Sequence, residues 1–278
     1  LRFKNLKMTF LDCGGRKLDL SRPAVMGILN ITPDSFSDGG VFFSPGKAIA
    51  QALRMVEEGA DIIDIGGEST RPGAPPVSVQ EEIDRVLPVL ENLRAQIQLP
   101  LSIDTSKPGV MRAAVAGGAG FINDVRALRE PGALKAAAEL GVAVCLMHMQ
   151  GNPLTMQENP RYDDVVGEIA DFLGERQQAA QAQGIPASQL VIDPGFGFGK
   201  TLEHNIELLR GLKRLQRLGA PMLVGLSRKS MIGKALGLPV DRRLHASVAL
   251  AVMAVQQGAR IVRVHDVGPT VEALRMWA

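Results

Sequence analysis

Short apolar runs rich in β-branched residues alternate along the chain with longer stretches in which apolar positions recur every three or four residues. The first pattern predicts buried parallel strands and the second predicts helices that cover them. Strands are expected at Val25–Asn30, Asp61–Gly66, Pro100–Asp104, Phe121–Asp124, Val142–His148, Leu190–Asp193, Met222–Leu226 and Arg260–Val264. Helices are expected at Gly46–Glu58, Ser78–Gln96, Lys107–Ala116, Pro131–Leu140, Tyr162–Gln183, Glu203–Leu218, Arg242–Gln257 and Thr270–Trp277. Two further short strands, Met8–Leu11 and Lys17–Leu20, flank Gly14-Gly15, and this spacing predicts a hairpin at the bottom of the structure.

Eight strand–helix units in 278 residues predict an α/β fold, a single (β/α)8 TIM barrel with a short N-terminal β-hairpin, forming one domain over residues 1–278. An open doubly wound sheet is the structural alternative. It lacks support from a glycine-rich dinucleotide turn after the first strand, and no composition shift marks a linker.

In a barrel the chemistry sits where strands end and βα loops begin. The strands here end on Asn30, on Gly66-Gly67-Glu68, on Asp104, on Asn123-Asp124, on His148, on Asp193, on Ser227-Arg228-Lys229 and on Arg263 to Asp266. Buried polar groups need partners, so so many apolar strands ending in polar residues predict one convergent site. Asp104, Asn123 and Asp193 could each be a helix cap. Together they suit a fused ring carrying several N–H donors, such as an aminopyrimidinone, because carboxylates accept paired hydrogen bonds and an amide both donates and accepts.

Other stretches carry both plain and functional readings. IDPGFGFGKT, residues 192–201, is no P-loop, since Pro194 stands where the first glycine is required. Its glycines suggest backbone lying close to a flat ligand, and Lys200 reads as a solvated loop lysine, with a Schiff-base role as a distant alternative. Lys229 can donate to a ring carbonyl or nitrogen, and Ser230, opening a short helix, can help to hold a carboxylate. Arg263 and His265 share one face of the last strand, at the position where barrels commonly bind phosphate. His148, beside Met147 and Met149, reads as part of a wall, and His204 and His245 as helix residues without chemistry. GGESTRPGAPPVS, residues 66–78, reads as a lid loop in which Glu68 is a structural acceptor.

Composition narrows the picture. With 46% hydrophobic residues and a formal net charge of +2, the chain can bury a large core and has no global field for nucleic acid or anionic membranes, so anions must be held locally. Its two cysteines, Cys13 and Cys145, make neither a zinc spacing nor a disulfide framework. LRFKNLKMTF lacks the features of a signal peptide, and no apolar run approaches a membrane span. A cytoplasmic protein acting on small molecules is the expectation.

GILNITPDSFSDGG, DIIDIGGESTRPGA, SIDTSKPGV, INDVRAL, CLMHMQGNPLTMQ, DPGFGFGK, LSRKSMIG and RIVRVHD occur in this order across nearly the whole chain. In these motifs the sequence resembles the dihydropteroate synthases of the monofunctional bacterial type. The resemblance implies condensation of 6-hydroxymethyl-7,8-dihydropterin diphosphate with p-aminobenzoate, with Mg2+ as cofactor and a homodimer as the assembly. It also implies roles for particular residues. Asp104, Asn123, Met147, Asp193 and Lys229 match the pterin pocket. Asn30, Arg263 and His265 match the diphosphate site, with Asn30 also on the metal. Thr70, Arg71, Pro72, Phe198, Lys229 and Ser230 match the p-aminobenzoate side, where Phe36 of the opening motif joins them. Catalysis then rests on Asn30, Asp104, Asp193, Lys229, Arg263 and His265. A pterin-binding methyltransferase with a corrinoid partner and a non-catalytic pterin-binding module stay open as alternatives, the first disfavoured by the STRPG loop and the SRKS turn.

Overall fold

The computed structural model describes residues 9–31, 45–69, 76–151 and 156–277. It begins with an antiparallel hairpin, β1 (Phe10–Cys13) and β2 (Arg16–Asp19), turning at Gly14-Gly15 as expected but in a register that starts each strand at a different residue. Eight parallel strands follow: β3 (Ala24–Asn30), β4 (Ile62–Gly66), β5 (Leu101–Asp104), β6 (Phe121–Asp124), β7 (Ala143–Met147), β8 (Leu190–Asp193), β9 (Leu223–Val224) and β10 (Ile261–Val264). Their spatial order, β8-β7-β6-β5-β4-β3-β10-β9, closes through a single parallel bridge between Ile192 and Met222. The expected barrel is therefore present.

Around it lie α1 (Pro45–Glu57), α2 (Val79–Gln96), α3 (Pro108–Gly117), α4 (Ala133–Leu140), α5 (Val165–Ala182), α6 (Leu202–Gly211), α7 (Ser230–Leu236), α8 (Leu244–Gln256) and α9 (Val267–Trp277). Local chemistry sets several of their starts. The Ser78 side chain accepts from the Glu81 amide at 3.2 Å, and Asp164 accepts from the Gly167 amide at 3.0 Å. Thr201 and His204 form a reciprocal capping box, which gives His204 a structural role.

Several boundaries differ from expectation. The stretch expected as one helix over Glu203–Leu218 becomes α6 followed by a 3-10 segment, Leu212–Leu218. The seventh barrel strand is only Leu223–Val224, because the chain leaves the sheet at Gly225, beside Arg263. The last helix starts at Val267 rather than Thr270, which puts Pro269 in its first turn, where a missing N–H leaves no helical bond unmade.

Period-two alternation divides the barrel strands into two faces. Ile63, Ile65, Ile103, Ile122, Val144, Leu146, Val262 and Val264 face outward into one core with the helices. The inward residues form layers. At the bottom Met26, Ile62, Phe121, Ala143, Val191, Leu223 and Ile261 share a buried cluster with Leu11, Cys13, Leu18 and Leu20 of the hairpin segment. The hairpin thus plugs the lower end, and each of its fully buried leucines contributes about 1.5–3 kcal/mol of hydrophobic stabilisation. Above this floor the inward positions turn polar.

Candidate active site

The register explains why the polar residues meet. Asn30 pairs with Gly66, Gly66 with Asp104, and Asp104 with Asn123, so these four occupy one level on one face. One step lower, Asp64 pairs with Ser102. On β10, Arg263 points inward between the bottom residue Ile261 and the loop residue His265.

Asp64 is fully buried and is the hub of the site. It accepts from Ser102 Oγ at 2.5 Å, from Asn123 Nδ2 at 3.0 Å and from Arg263 Nε at 2.6 Å. Arg263 Nη2 donates in turn to Asp104 Oδ2 at 2.8 Å. Two carboxylates therefore share one guanidinium beneath the barrel mouth. Burial pushes the Asp104 carboxyl up to about 7, with Arg263 opposing and Asp64 adding repulsion. Burial lowers the Arg263 proton affinity, but the Asp64 and Asp104 charges more than offset it and hold the guanidinium firmly protonated. The other oxygen of Asp104, Oδ1, is buried without a hydrogen-bond partner among the described residues, an acceptor that a ligand donor would satisfy.

Sequence reading passed over Asp64. Its signal was there: a carboxylate at an inward position of an otherwise apolar strand, two residues before the strand end.

Asp193 lies across the mouth, and its Oδ1 accepts from the Gly195 amide at 2.7 Å. Burial raises its pKa, while Lys229 and the Gly195 amide work against the rise. Lys229 is half-buried; its ammonium donates to the Phe196 carbonyl and sits 4.6 Å from the Phe198 ring centroid. Burial brings its pKa down to about 8, with Asp193 opposing. Met147 is buried beside Met149, Val125 and Met156, with Phe198 against them, forming an apolar wall. Asp104, Asn123, Met147, Asp193, Lys229, Phe198 and Arg263 are thus gathered at one end of the barrel.

His265 Nδ1 lies 3.0 Å from Ser227 Oγ, which ties the loop after β10 to the loop after β9. Arg228 and Asp266 add an ion pair between the same loops. Ser230 is the exposed first residue of α7. Glu68 accepts from the Val77 amide at 2.9 Å and pairs with Lys107 at 3.0 Å, the structural role expected of it. Phe36, Thr70, Arg71 and Pro72, and with them the opening loop and the tip of the lid, lie outside the described residues.

Lys200 corrects the reading of a solvated lysine. Only 2% of it is exposed, and its ammonium is enclosed by His148 and two loop carbonyls. Gly195, Gly197 and Gly199 all have left-handed backbone (φ 68°, 79° and 60°), which turns carbonyls towards the two lysines.

An inward ring of acid, amide and basic groups stands at the C-terminal mouth of the (β/α)8 barrel, with one buried acceptor lacking a donor among the described residues, which is the arrangement of a barrel enzyme that acts on a polar small molecule. The model of the pterin binding enzyme family matches residues 26–265. Dihydropteroate synthase of Escherichia coli (strain K12) is 55% identical over 262 residues, covering 94% of this chain and 93% of that protein. The structure of Xanthomonas albilineans dihydropteroate synthase with 4-aminobenzoic acid is 57% identical, with 97% of each chain covered and a TM-score of 0.92. Another structure of the Xanthomonas albilineans enzyme, in complex with 7,8-dihydropteroate, is 55% identical over 96% of this chain and 97% of that one, with a TM-score of 0.89. The chain belongs to the pterin-binding enzyme family, in its dihydropteroate synthase branch.

Proposed function

We propose that this chain condenses 6-hydroxymethyl-7,8-dihydropterin diphosphate with p-aminobenzoate to give 7,8-dihydropteroate and pyrophosphate, forming a C–N bond. The observation that carries this reading is Asp104 Oδ1, without a partner among the described residues, level with Asn123 in a mouth that also holds Asp193 and Arg263. A pterin edge offers N–H donors to such acceptors and a carbonyl to the Lys229 ammonium. The relatives bind the amine and the product of this reaction, which favours a synthase over a corrinoid methyltransferase or a non-catalytic module.

In this mechanism diphosphate departs first and the amine attacks the pterin methylene cation. Asp104 and Asp193 hold the ring, and their negative charge favours the positive charge developing on it. Arg263, already oriented by Asp64, and His265, held by Ser227, receive the leaving group. Phe198 and Lys229 line the side from which the amine enters, with Thr70, Arg71, Pro72, Phe36 and Ser230 completing it. A neutral aromatic amine attacks a cation without a strong base and loses its proton afterwards.

The donor set suits Mg2+ arriving with the diphosphate. Among the described residues no group of three or more His, Cys, Asp or Glu could cage a metal. Asn30 offers a single neutral oxygen at the level of Asp104, and Mg2+ commonly combines few protein ligands with substrate phosphates and water. When bound, the ion would neutralise charge on the departing pyrophosphate.

The whole chain acts as one domain in this reading. A homodimer is supported by apolar residues left exposed on neighbouring elements: Leu236 ending α7, Val240 in the following turn and Met253 on α8. Among the described residues no helix is long and apolar enough to cross a membrane, and both cysteines are buried free thiols, which suits a reducing cytoplasm. The test is dihydropteroate formation from the two substrates, with and without Mg2+, with pyrophosphate measured in parallel. Metal-dependent, equimolar products support the reading. Pterin binding without either product refutes it.

A further inference from the structure

Lys200 is a fully buried lysine with no carboxylate within hydrogen-bond reach among the described residues. Its Nζ lies 2.9 Å from His148 Nδ1, 2.9 Å from the Gly195 carbonyl and 3.0 Å from the Phe198 carbonyl. An ammonium has three donors and no acceptor, so these contacts use all of them, with His148 neutral and Nδ1 accepting. Burial depresses the pKa of both groups, and each is enclosed by the other. No donor is left for a substrate. The ammonium is turned to the protein, and the question becomes what it holds.

It holds the loop after β8. The five carbonyls from residue 195 to residue 199 all have donors: Lys200 for Gly195 and Phe198, Lys229 for Phe196, Gln157 for Gly197 and Tyr162 for Gly199. Three left-handed glycines alternate the carbonyl directions so that two face Lys200 and the one between them on Phe196 faces Lys229. The loop amides are fixed as well, Gly195 on Asp193 Oδ1 and Gly197 on Asn205 Oδ1, both at 2.7 Å. Through His148 the ammonium also joins β7 to β8, whose neighbouring backbone bond runs from the His148 amide to the Asp193 carbonyl at 2.9 Å. The loop lies close against its neighbours. A Cβ on Gly195 would collide with the His148 carbonyl oxygen, and one on Gly199 would lie 2.6 Å from that of Gln150.

We propose that Lys200 is a positioning residue for the condensation: its ammonium is the centre around which the 194–199 loop folds, and that loop sets the distance between Asp193 and Lys229. This rests on the synthase reading for the roles of those two residues. Both ends of the loop lead to them, because Gly195 bonds the Asp193 carboxylate while Phe196 and Phe198 supply the carbonyl and ring that hold the Lys229 ammonium. Without Lys200, the half-buried Phe198 carbonyl would lose its donor and the buried Gly195 carbonyl would keep only the Phe198 amide, at 3.1 Å, so that the loop would turn towards water. Asp193 and Lys229 would then lose their mutual placement, and a misplacement of about 1 Å can lower turnover by roughly a hundredfold.

The test uses Lys200→Met, which keeps length and apolar volume but removes the donors, and Lys200→Ala with added n-propylammonium, which restores a free ammonium in the vacated space. In folded Lys200→Met, the KM for the pterin diphosphate is expected to rise and kcat to fall, together lowering kcat/KM by roughly tenfold to a hundredfold. Saturable recovery of Lys200→Ala by n-propylammonium is expected as well. Kinetic constants within about twofold of wild type in the folded Met variant would overturn the proposal, because a merely structural lysine alters melting temperature alone. Hydrogen exchange of the wild type covers the case in which neither variant folds: the Gly195 and Gly197 amides should be protected, and exchange at the solvent rate would overturn the proposal. Lack of wild-type turnover would remove the synthase reading instead, since exchange and calorimetric pterin binding report on the loop without chemistry.

Discussion

Replacing Asp64 by asparagine tests the idea that two carboxylates share one guanidinium beneath the mouth. The substitution keeps the shape and removes one buried charge. Removing one partner of a buried ion pair typically costs about 3–5 kcal/mol. Here Arg263 retains Asp104 at 2.8 Å, so it is not stranded, and the loss reduces to weakened bonds with Ser102, Asn123 and Arg263 Nε. We expect about 2–4 kcal/mol at acid pH. The pH dependence is more diagnostic. Wild-type Asp104 is pushed up to about 7 by burial and by the nearby Asp64, so between its ordinary value of 3.8 and about 7 the folded state binds more protons than the unfolded state. Stability then falls as pH rises through that window. Without Asp64 the guanidinium serves Asp104 alone, Asp104 ionises at lower pH, and this loss is relieved. The destabilisation caused by Asp64→Asn should therefore be smaller at about pH 8 than at about pH 5, by ~1–3 kcal/mol. Urea unfolding of both proteins at the two pH values measures the difference. A mutational cost that is the same at both, or larger at alkaline pH, would refute the shared-guanidinium account.

Other consequences can be checked more simply. Lys229, brought down to about 8 by burial, should lose its donating form as pH rises, so the alkaline limb of kcat/KM for the pterin diphosphate should fall near that value; a profile flat to about pH 10 would contradict it. Gly195→Ala places a side chain against the His148 carbonyl at a left-handed position, and should lower pterin binding measured by calorimetry by at least about tenfold, while near-normal affinity would show that the loop is looser than described. Asn30→Ala should weaken Mg2+-dependent turnover in a magnesium titration while leaving the circular dichroism spectrum unchanged, and an unaltered Mg2+ dependence would sink the metal assignment. Leu18→Ala in the plug should destabilise the fold by about 2–5 kcal/mol in urea and spare the kinetics of the folded enzyme; impaired kinetics at low temperature would mean that the floor and the mouth are coupled.

The strand–helix alternation, the bottom hairpin and the polar strand ends were legible in the sequence because each is a local pattern: a period, a turn pair, an abrupt change from apolar to polar. Asp104, Asn123, Asp193, Lys229 and Arg263 could be chosen by that rule, since in a barrel every strand end leads to one mouth. What the local patterns left open is which polar groups satisfy one another. Asp64 lies inside an apolar strand, and its partners Ser102, Asn123 and Arg263 come from three other strands, so its role exists only once the register brings them level. Lys200 read as a solvated loop residue because a charge beside glycines usually is one. Only the packing of the β7 and β8 loops shows that the carbonyls of its own loop replace water around it. Sequence determined the barrel and the circle of chemistry-bearing ends through hydrophobic periodicity, which acts within each segment. Tertiary structure decided the pairing, because desolvation and hydrogen bonding act on groups that meet across strands far apart in the chain.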